Sequence, residues 1–452
     1  MVSPTATLSW FLTYGLLATA LPNTHLQVLK SVTAPGIGFK IPKATHPWTA
    51  AAGLPKQSKN VQRIHSNCGS KTNSKSVAAI IGAHQRQVGG YGYQNVTSTS
   101  AFGTQYAIEA VWNGTRMMLI VDTGSSDTWV VRKGFSCVDY HGESVPQVAC
   151  GFGPAYPKDF QYGLTSPEEH MFIQYGDGET VTGPMGFSDI TLGNITVKKQ
   201  QVSLANTTYW VGNNQTSGLI GLAFPSLTNA YLGSSDDHDP GNQIEYSPLF
   251  SNMVNQGTVA PLFSIAIDRN ASTGLLAWGG IPPVTGLDNS RTATLDMIIT
   301  NLIDKESAAY EYSFYTVIPD GWQFGQTSDL TKYPFIVDTG TTICYLPPNL
   351  ADAINRAFTP AGVYLWMYGA YFTSCDAVAP RISVILGGVH FWINPRDLIY
   401  QRMVDPLTGL CMTAIASGGS GPYILGDAFL QNALAVFDVG QAKMRFIPRE
   451  FY

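Results

Sequence analysis

Asp122 and Asp338 stand 216 residues apart in one repeated phrase, Ile-Val-Asp-Thr-Gly. The first copy runs Met117-Met118-Leu119-Ile120-Val121-Asp122-Thr123-Gly124-Ser125-Ser126, the second Tyr333-Pro334-Phe335-Ile336-Val337-Asp338-Thr339-Gly340-Thr341-Thr342. In each, an apolar, β-prone run delivers one acid to a small-residue turn, where a bent backbone sets the carboxylate beside a hydroxyl and free amides. Two carboxyls brought side by side cannot both ionise easily, so they share a proton and their pKa values split. The charged member can take a proton from water while the protonated member donates to a carbonyl oxygen. That is acid–base hydrolysis needing no metal, no cofactor and no covalent intermediate. One Asp-Thr-Gly alone reads as a turn cap; a second copy after a second apolar strand argues for the pair.

The elements that must position these acids are strands. Ala107–Trp112, Asn113-Gly114 and Thr115–Ile120 read as a β-hairpin closed by an Asn-Gly turn, its second strand running straight into Asp122. Charged residues make up 13% of the 452, and 45 Gly, 27 Pro and 22 Tyr favour a turn-rich β protein of two or three domains. Met171-Phe-Ile-Gln-Tyr175-Gly176-Asp177-Gly178-Glu-Thr-Val-Thr-Gly183 reads as a strand, a Gly-rich tip and a returning strand.

Both aspartate stretches resemble the active-site motifs of pepsin-like aspartic proteases, and the likeness extends over about residues 104–447. It implies an all-β, bilobal fold of two related β-barrel-like lobes with the active-site cleft between them. Asp122 and Asp338 would be catalytic, with Thr123 and Thr339 bracing the turns, Gly124 and Gly340 completing them, and Ser125 and Thr341 bonding the carboxylates from outside. The segment around Tyr175 is similar to the family's mobile flap; Tyr175 falls on the flap tyrosine and Trp129 on the indole that bonds it. Asp177, beside Gly176, would widen specificity toward Lys before the scissile bond, or only shape the turn. Ser217-Gly218-Leu219-Ile220-Gly221-Leu222 and Tyr423-Ile424-Leu425-Gly426-Asp427 resemble the segments that cross behind the catalytic turns, Gly221 and Gly426 standing 99 and 88 residues after the two acids. Ser217 departs from the Asp common there. The likeness also implies disulfides Cys137–Cys150 and Cys375–Cys411, while Cys344, on an apolar strand with no His near it in sequence, reads as a buried free thiol. Leu276–Ile281 marks the crossing between lobes, and 228–246 reads as a polar surface insertion.

Residues 8–20 form an apolar run with the length of a secretory signal, too short for a membrane span, with cleavage expected near Ala18 or Ala20. The next stretch is one-sided in charge. Residues 1–90 carry nine Lys or Arg and no acid, leaving 17 basic against 31 acidic residues beyond. Such a tail can bind nucleic acid or anionic membrane, but after a signal and before an acidic body it reads as a removable propeptide lying on its own enzyme. Cys68 lies within it. The organisation expected is signal 1–20, propeptide 21–90, N-terminal lobe 91–278 and C-terminal lobe 279–452, with the flexible Gly89-Gly90-Tyr91-Gly92 at the joint. Sequons at Asn95, Asn113, Asn194, Asn206, Asn214 and Asn270 fit the eukaryotic secretory route.

Other catalytic classes lack their residues: there is no His-Glu-x-x-His, no Gly-x-Ser-x-Gly and no phosphate loop. His141, His170, His238 and His390 are scattered and read as surface residues. Two readings remain. One is a secreted (or vacuolar) monomeric acid endopeptidase, made as a zymogen, acting on protein or peptide substrates and blocked by pepstatin-type inhibitors. The other is a non-catalytic binding or inhibitory protein of the same fold; such proteins lose an Asp, the following Gly or the flap tyrosine, and here all are present. Neither calls for nucleic acid or a membrane span.

Overall fold

The computed structural model describes residues 28–29, 56–58, 60–68, 104–176, 178–268, 274–300 and 312–449. The signal and its cleavage sites, the joint at 89–92, Asp177, Asn95 and Asn270 lie outside them. The fold is all-β and pepsin-like, built of two barrel-like halves joined by a shared sheet.

The Asn-Gly hairpin forms as its sequence dictates. Strand Thr104–Trp112 pairs with Thr115–Asp122 from Trp112↔Thr115 to Ala107↔Ile120, and Asn113 and Gly114 sit at φ 43° and 75°, the left-handed pair a two-residue turn needs. The second strand grows more buried along its length until Leu119–Asp122 is fully enclosed. Enclosure follows from pairing: Gly218–Gly221 runs parallel beside it, Gly221 opposite Asp122, and antiparallel beside Thr128–Val138. The sequence Thr180–Leu192, Ile195–Tyr209, Thr128–Val138, Gly218–Gly221, Thr115–Asp122 and Thr104–Trp112 then closes on itself, because Thr104–Trp112 pairs back to Thr180–Leu192. A closed ring leaves no edge among those six strands.

The second half repeats the arrangement in smaller sheets. Phe335–Val337 carries Asp338, and Tyr423–Leu425 runs parallel beside it with Val337 opposite Leu425, matching the relation of Gly218–Gly221 to the first acid. Between the halves lies a sheet contributed by both: Gly274–Trp278, Phe263–Ile267, Ala433–Asp438, Lys443–Pro448 and Ala293–Asp296 in spatial order. Its packing is aromatic. Phe263 stacks on Phe437 at 4.5 Å, with Trp278 and Tyr315 against the same ring. Across the lobes the Tyr315 hydroxyl donates to Leu222 O at 2.6 Å.

Asn60–Cys68, from the basic segment, is a strand of this molecule. It inserts between Gly274–Trp278 and Thr104–Trp112, Ile64 is buried, and Gln62 accepts from the Trp278 indole at 3.0 Å. Val28–Leu29 pairs with Ile299–Thr300.

The stretch 228–246 differs from the sequence reading. Its tip is exposed, but its ends are not surface. Ala230–Leu232 pairs with Glu169–Gln174, the strand leading to Tyr175, Gln243–Ile244 pairs with Ala230–Tyr231, and Thr228 and Tyr246 are buried. Strands of only three and two residues carry too little alternation to be recognised from the sequence.

Candidate active site

Both acids end a buried strand, and each carboxylate is held by its own turn. Gly124 N donates to Asp122 Oδ1 at 2.7 Å and the Ser125 hydroxyl to Oδ2; Gly340 N donates to Asp338 Oδ1 at 2.8 Å and the Thr341 hydroxyl to Oδ2 at 2.6 Å. The two turns are then locked to each other. Thr123 Oγ1 donates to Val337 O and accepts from Thr339 N, both at 3.0 Å, while Thr339 Oγ1 donates to Val121 O at 2.9 Å and accepts from Thr123 N at 3.2 Å. Four bonds related by a pseudo-twofold leave the two Asp little freedom to separate.

Glycine at 124 and 340 is a requirement of this closeness. A Cβ on Gly124 would lie 2.7 Å from Asp338 Cγ, and one on Gly340 would lie 2.5 Å from Asp122 Oδ1. Behind the turns, a Cβ on Gly221 would strike the Ser126 backbone at 2.4 Å and one on Gly426 the Thr341 carbonyl at 2.3 Å.

Burial raises both carboxyls above the usual range, and the charge of Asp122 pushes Asp338 further; the donors in each turn oppose this. Two carboxyls raised together in this way favour sharing one proton. A third carboxyl, Asp427, lies fully buried directly after Gly426, without a hydrogen-bond partner. Burial first, then the charges of Asp338 and Asp122, raise it well above its ordinary value.

Tyr175 tops a tight turn: its N–H donates to Glu179 O, and Gly178 N, at φ 91°, donates back to Tyr175 O at 2.9 Å. Gly176 lies in the same turn. The Trp129 indole donates to the Tyr175 hydroxyl at 2.9 Å. Burial raises the phenol well above its ordinary value and the Asp122 charge adds to it. Trp210 packs edge-on to both Tyr175 and Trp129, at 5.7 and 5.2 Å between ring centres, and shares a cluster with Ile120 and Leu219. Trp210 has no motif around it to announce this place. Nor do Asp127 and Tyr246: the Tyr246 hydroxyl donates to the buried Asp127, five residues after Asp122, at 2.7 Å.

Cys137–Cys150 and Cys375–Cys411 are bonded. Cys344 is buried and free, its thiol pushed up to about 12 by burial, which leaves it no nucleophile. Asn113, Asn194, Asn206 and Asn214 lie on turns or strand faces, the last three exposed. Ser217 is buried and its hydroxyl has no hydrogen-bond partner. His170 is buried, contrary to a surface placement. No helix among the described residues is long and apolar enough to cross a membrane.

The family model for eukaryotic aspartyl proteases matches residues 106–448. The chain belongs to that family. A probable aspartic-type endopeptidase of Aspergillus fumigatus is 39% identical over 340 residues, 73% of this chain and 75% of that one. Penicillopepsin-3 of Penicillium janthinellum is 27% identical over 356 residues, 78% and 80% of the two chains. Among solved structures, the aspartic proteinase from Irpex lacteus is similar with a TM-score of 0.57 at 19% identity, covering 77% of this chain and 95% of its own, a likeness of fold. Membership makes the chain an aspartic-type endopeptidase, a hydrolase.

Proposed function

We propose that this aspartyl protease cleaves peptide bonds in acid by a water activated between Asp122 and Asp338. The observation that carries the reading is the reciprocal threonine lock, which ties together the turns of two buried carboxyls and so supports a shared proton. The ionised carboxyl takes a proton from the water as its oxygen bonds to the scissile carbonyl carbon. The protonated carboxyl donates to the carbonyl oxygen, giving a neutral tetrahedral diol. The pair then gives its proton to the nitrogen, and as the C–N bond breaks a diol hydroxyl returns a proton to the pair, leaving a carboxylic acid and an amine. The hairpin bearing Tyr175 acts as a flap over the bound chain, and Asp177 favours Lys before the scissile bond.

The enzyme is made with a signal at 1–20 and a basic propeptide at 21–90, enters the secretory route, and works outside the cell or in a vacuole as a monomer. Its lobes divide at 278/279, its sequons are available for glycosylation, and pepstatin-type inhibitors occupy the cleft. An acid-free segment of nine cations beside an acidic body supports docking through many weak pairs, each worth about 0–1 kcal/mol and lost as the carboxylates protonate. The pairing of Asn60–Cys68 in the shared sheet ties that segment to the body as well.

The test is the mass of the full proprotein after acidification, with denatured globin as substrate, for wild type, Asp122→Asn and wild type with pepstatin. Self-processing and globin cleavage by wild type alone is the expected result. Turnover by Asp122→Asn near the wild-type rate refutes the mechanism, and its equal maturation refutes self-processing.

A further inference from the structure

The insertion Thr228–Tyr246 joins the two parts of the site that must move relative to each other. Its feet are fixed behind the first catalytic turn. Asn229 donates to Asp127 through both N and Nδ2, at 3.0 and 2.8 Å, and Tyr246 donates to the same carboxylate. Its strand Ala230–Leu232 is laid along the rising flap strand, Ala230 opposite Met171, Tyr231 opposite His170 and Leu232 opposite Glu169. Phe172 N donates to Asn229 O at 3.1 Å and Gly233 N to Glu168 O at 2.9 Å. A flap strand that would otherwise be an edge is thus an interior strand, stitched to a segment anchored beside Asp122.

The seam is closed by two histidines. His238, from the exposed tip, lies flat on Phe172 with ring centres 3.7 Å apart and planes 5° from parallel. Its Nδ1 stands 3.4 Å from Nε2 of the buried His170, which itself stacks on Tyr231. His170 Nδ1 is buried without a hydrogen-bond partner, beside a cleft of about 180 Å³ that also borders Glu168, Gly233 and Ser235. A neutral or singly protonated pair offers one donor and one acceptor; two imidazolium rings offer only donors.

We propose that the insertion is a strap holding the flap down, and that double protonation of the His170–His238 pair releases it in acid. The claim rests on the reading of the Tyr175 hairpin as a flap. Burial and the neighbouring His170 hold His238 below its ordinary value, while Asp236 and Asp237 on its own loop pull the other way. The other ionisable groups around the seam are Asp239 on the loop, Glu168 just before the strand Glu169–Gln174, Glu169 at its start, and Tyr231; burial raises Glu169, while bonds from Thr165 and Gln201 oppose the rise. The sign follows from linkage. A seated His238 binds a proton less readily than a detached one, so seating is favoured above about pH 6.5 and weakens as pH falls through that value. The strap therefore loosens in the range where the carboxyl pair becomes active.

Hydrogen exchange on the full chain in the Asp122→Asn background, free of self-cleavage, separates the two claims. Between about pH 7 and about pH 4.5, flap amides of residues 169–184, corrected for intrinsic rates, should lose protection roughly threefold or more. His238→Phe, which keeps the stacking and cannot titrate, should hold protection in acid. His238→Lys should expose the same amides already at neutral pH. Equal loss in wild type and His238→Phe, or full neutral protection in His238→Lys, overturns the switch. In the active chain, His238→Phe should lower kcat in acid. Exchange as expected with kcat and KM unchanged keeps the strap and overturns the flap reading instead.

Discussion

The turns that carry Asp122 and Asp338 have no free space beside their glycines. At 124 and 340, a methyl group would occupy the space of the opposite carboxylate. Gly124→Ala is therefore expected to displace Asp338, and a misplacement of about 1 Å costs on the order of a hundredfold in rate. Asp338→Asn should abolish turnover for a different reason, since the shared proton needs two carboxyls. Both variants should keep wild-type circular dichroism, because the threonine lock does not involve either changed group. Steady-state kcat on a quenched peptide checks this; Gly124→Ala within a factor of about three of wild type would show that the turn can yield.

The hairpin that bears Tyr175, proposed above as a flap, makes one polar contact in an aromatic setting. The Trp129 indole has Tyr175 as its acceptor, and both are almost fully buried. Tyr175→Phe keeps the ring against Trp210 but leaves a buried N–H unpaired, a cost of about 1–3 kcal/mol. Part of that cost falls on the closed flap, so kcat/KM should drop roughly tenfold, while the melting temperature moves by only a few degrees. Comparison of kcat/KM with thermal melts checks this. Unchanged kcat/KM would mean that the Trp129–Tyr175 bond does not hold the flap where substrate binds.

Taken as one folded body, the protein should prefer acid for stability as well as for chemistry. Asp122, Asp127, Asp338 and Asp427 are buried, and burial raises every one of them. An unfolded Asp loses its proton at about pH 4. Above that value the folded state binds more protons than the unfolded one, so stability falls as pH rises. Asp288, held down by Ser290 and Arg291, and Asp320, where desolvation is outweighed by Lys332 and the Gly387 and Gly388 N–H groups together, act in the opposite direction. They lie nearer the surface, where solvent screens such pairs. The melting temperature is expected to be higher at about pH 4–5 than at pH 7, with a shallower fall in Asp427→Asn. Scanning calorimetry across that range checks it, and a melting temperature that climbs toward neutrality would contradict it.

What could be read from the chain alone was whatever is local or duplicated. The Asn113-Gly114 turn, the apolar run into Asp122 and the second Ile-Val-Asp-Thr-Gly are written in neighbouring residues, because turn conformation and strand burial follow from side chains a few positions apart. The duplication then announced that two acids matter. Their meeting was decided in three dimensions, by parallel pairing of Gly218–Gly221 and Tyr423–Leu425 and by hydroxyls exchanged across 216 residues. Trp210 under the flap tyrosine, Tyr246 on Asp127 and the buried His170 left no local trace. Each depends on which strand lies beside which, and that register is set by closure of the sheet around a common core rather than by the residues it brings together.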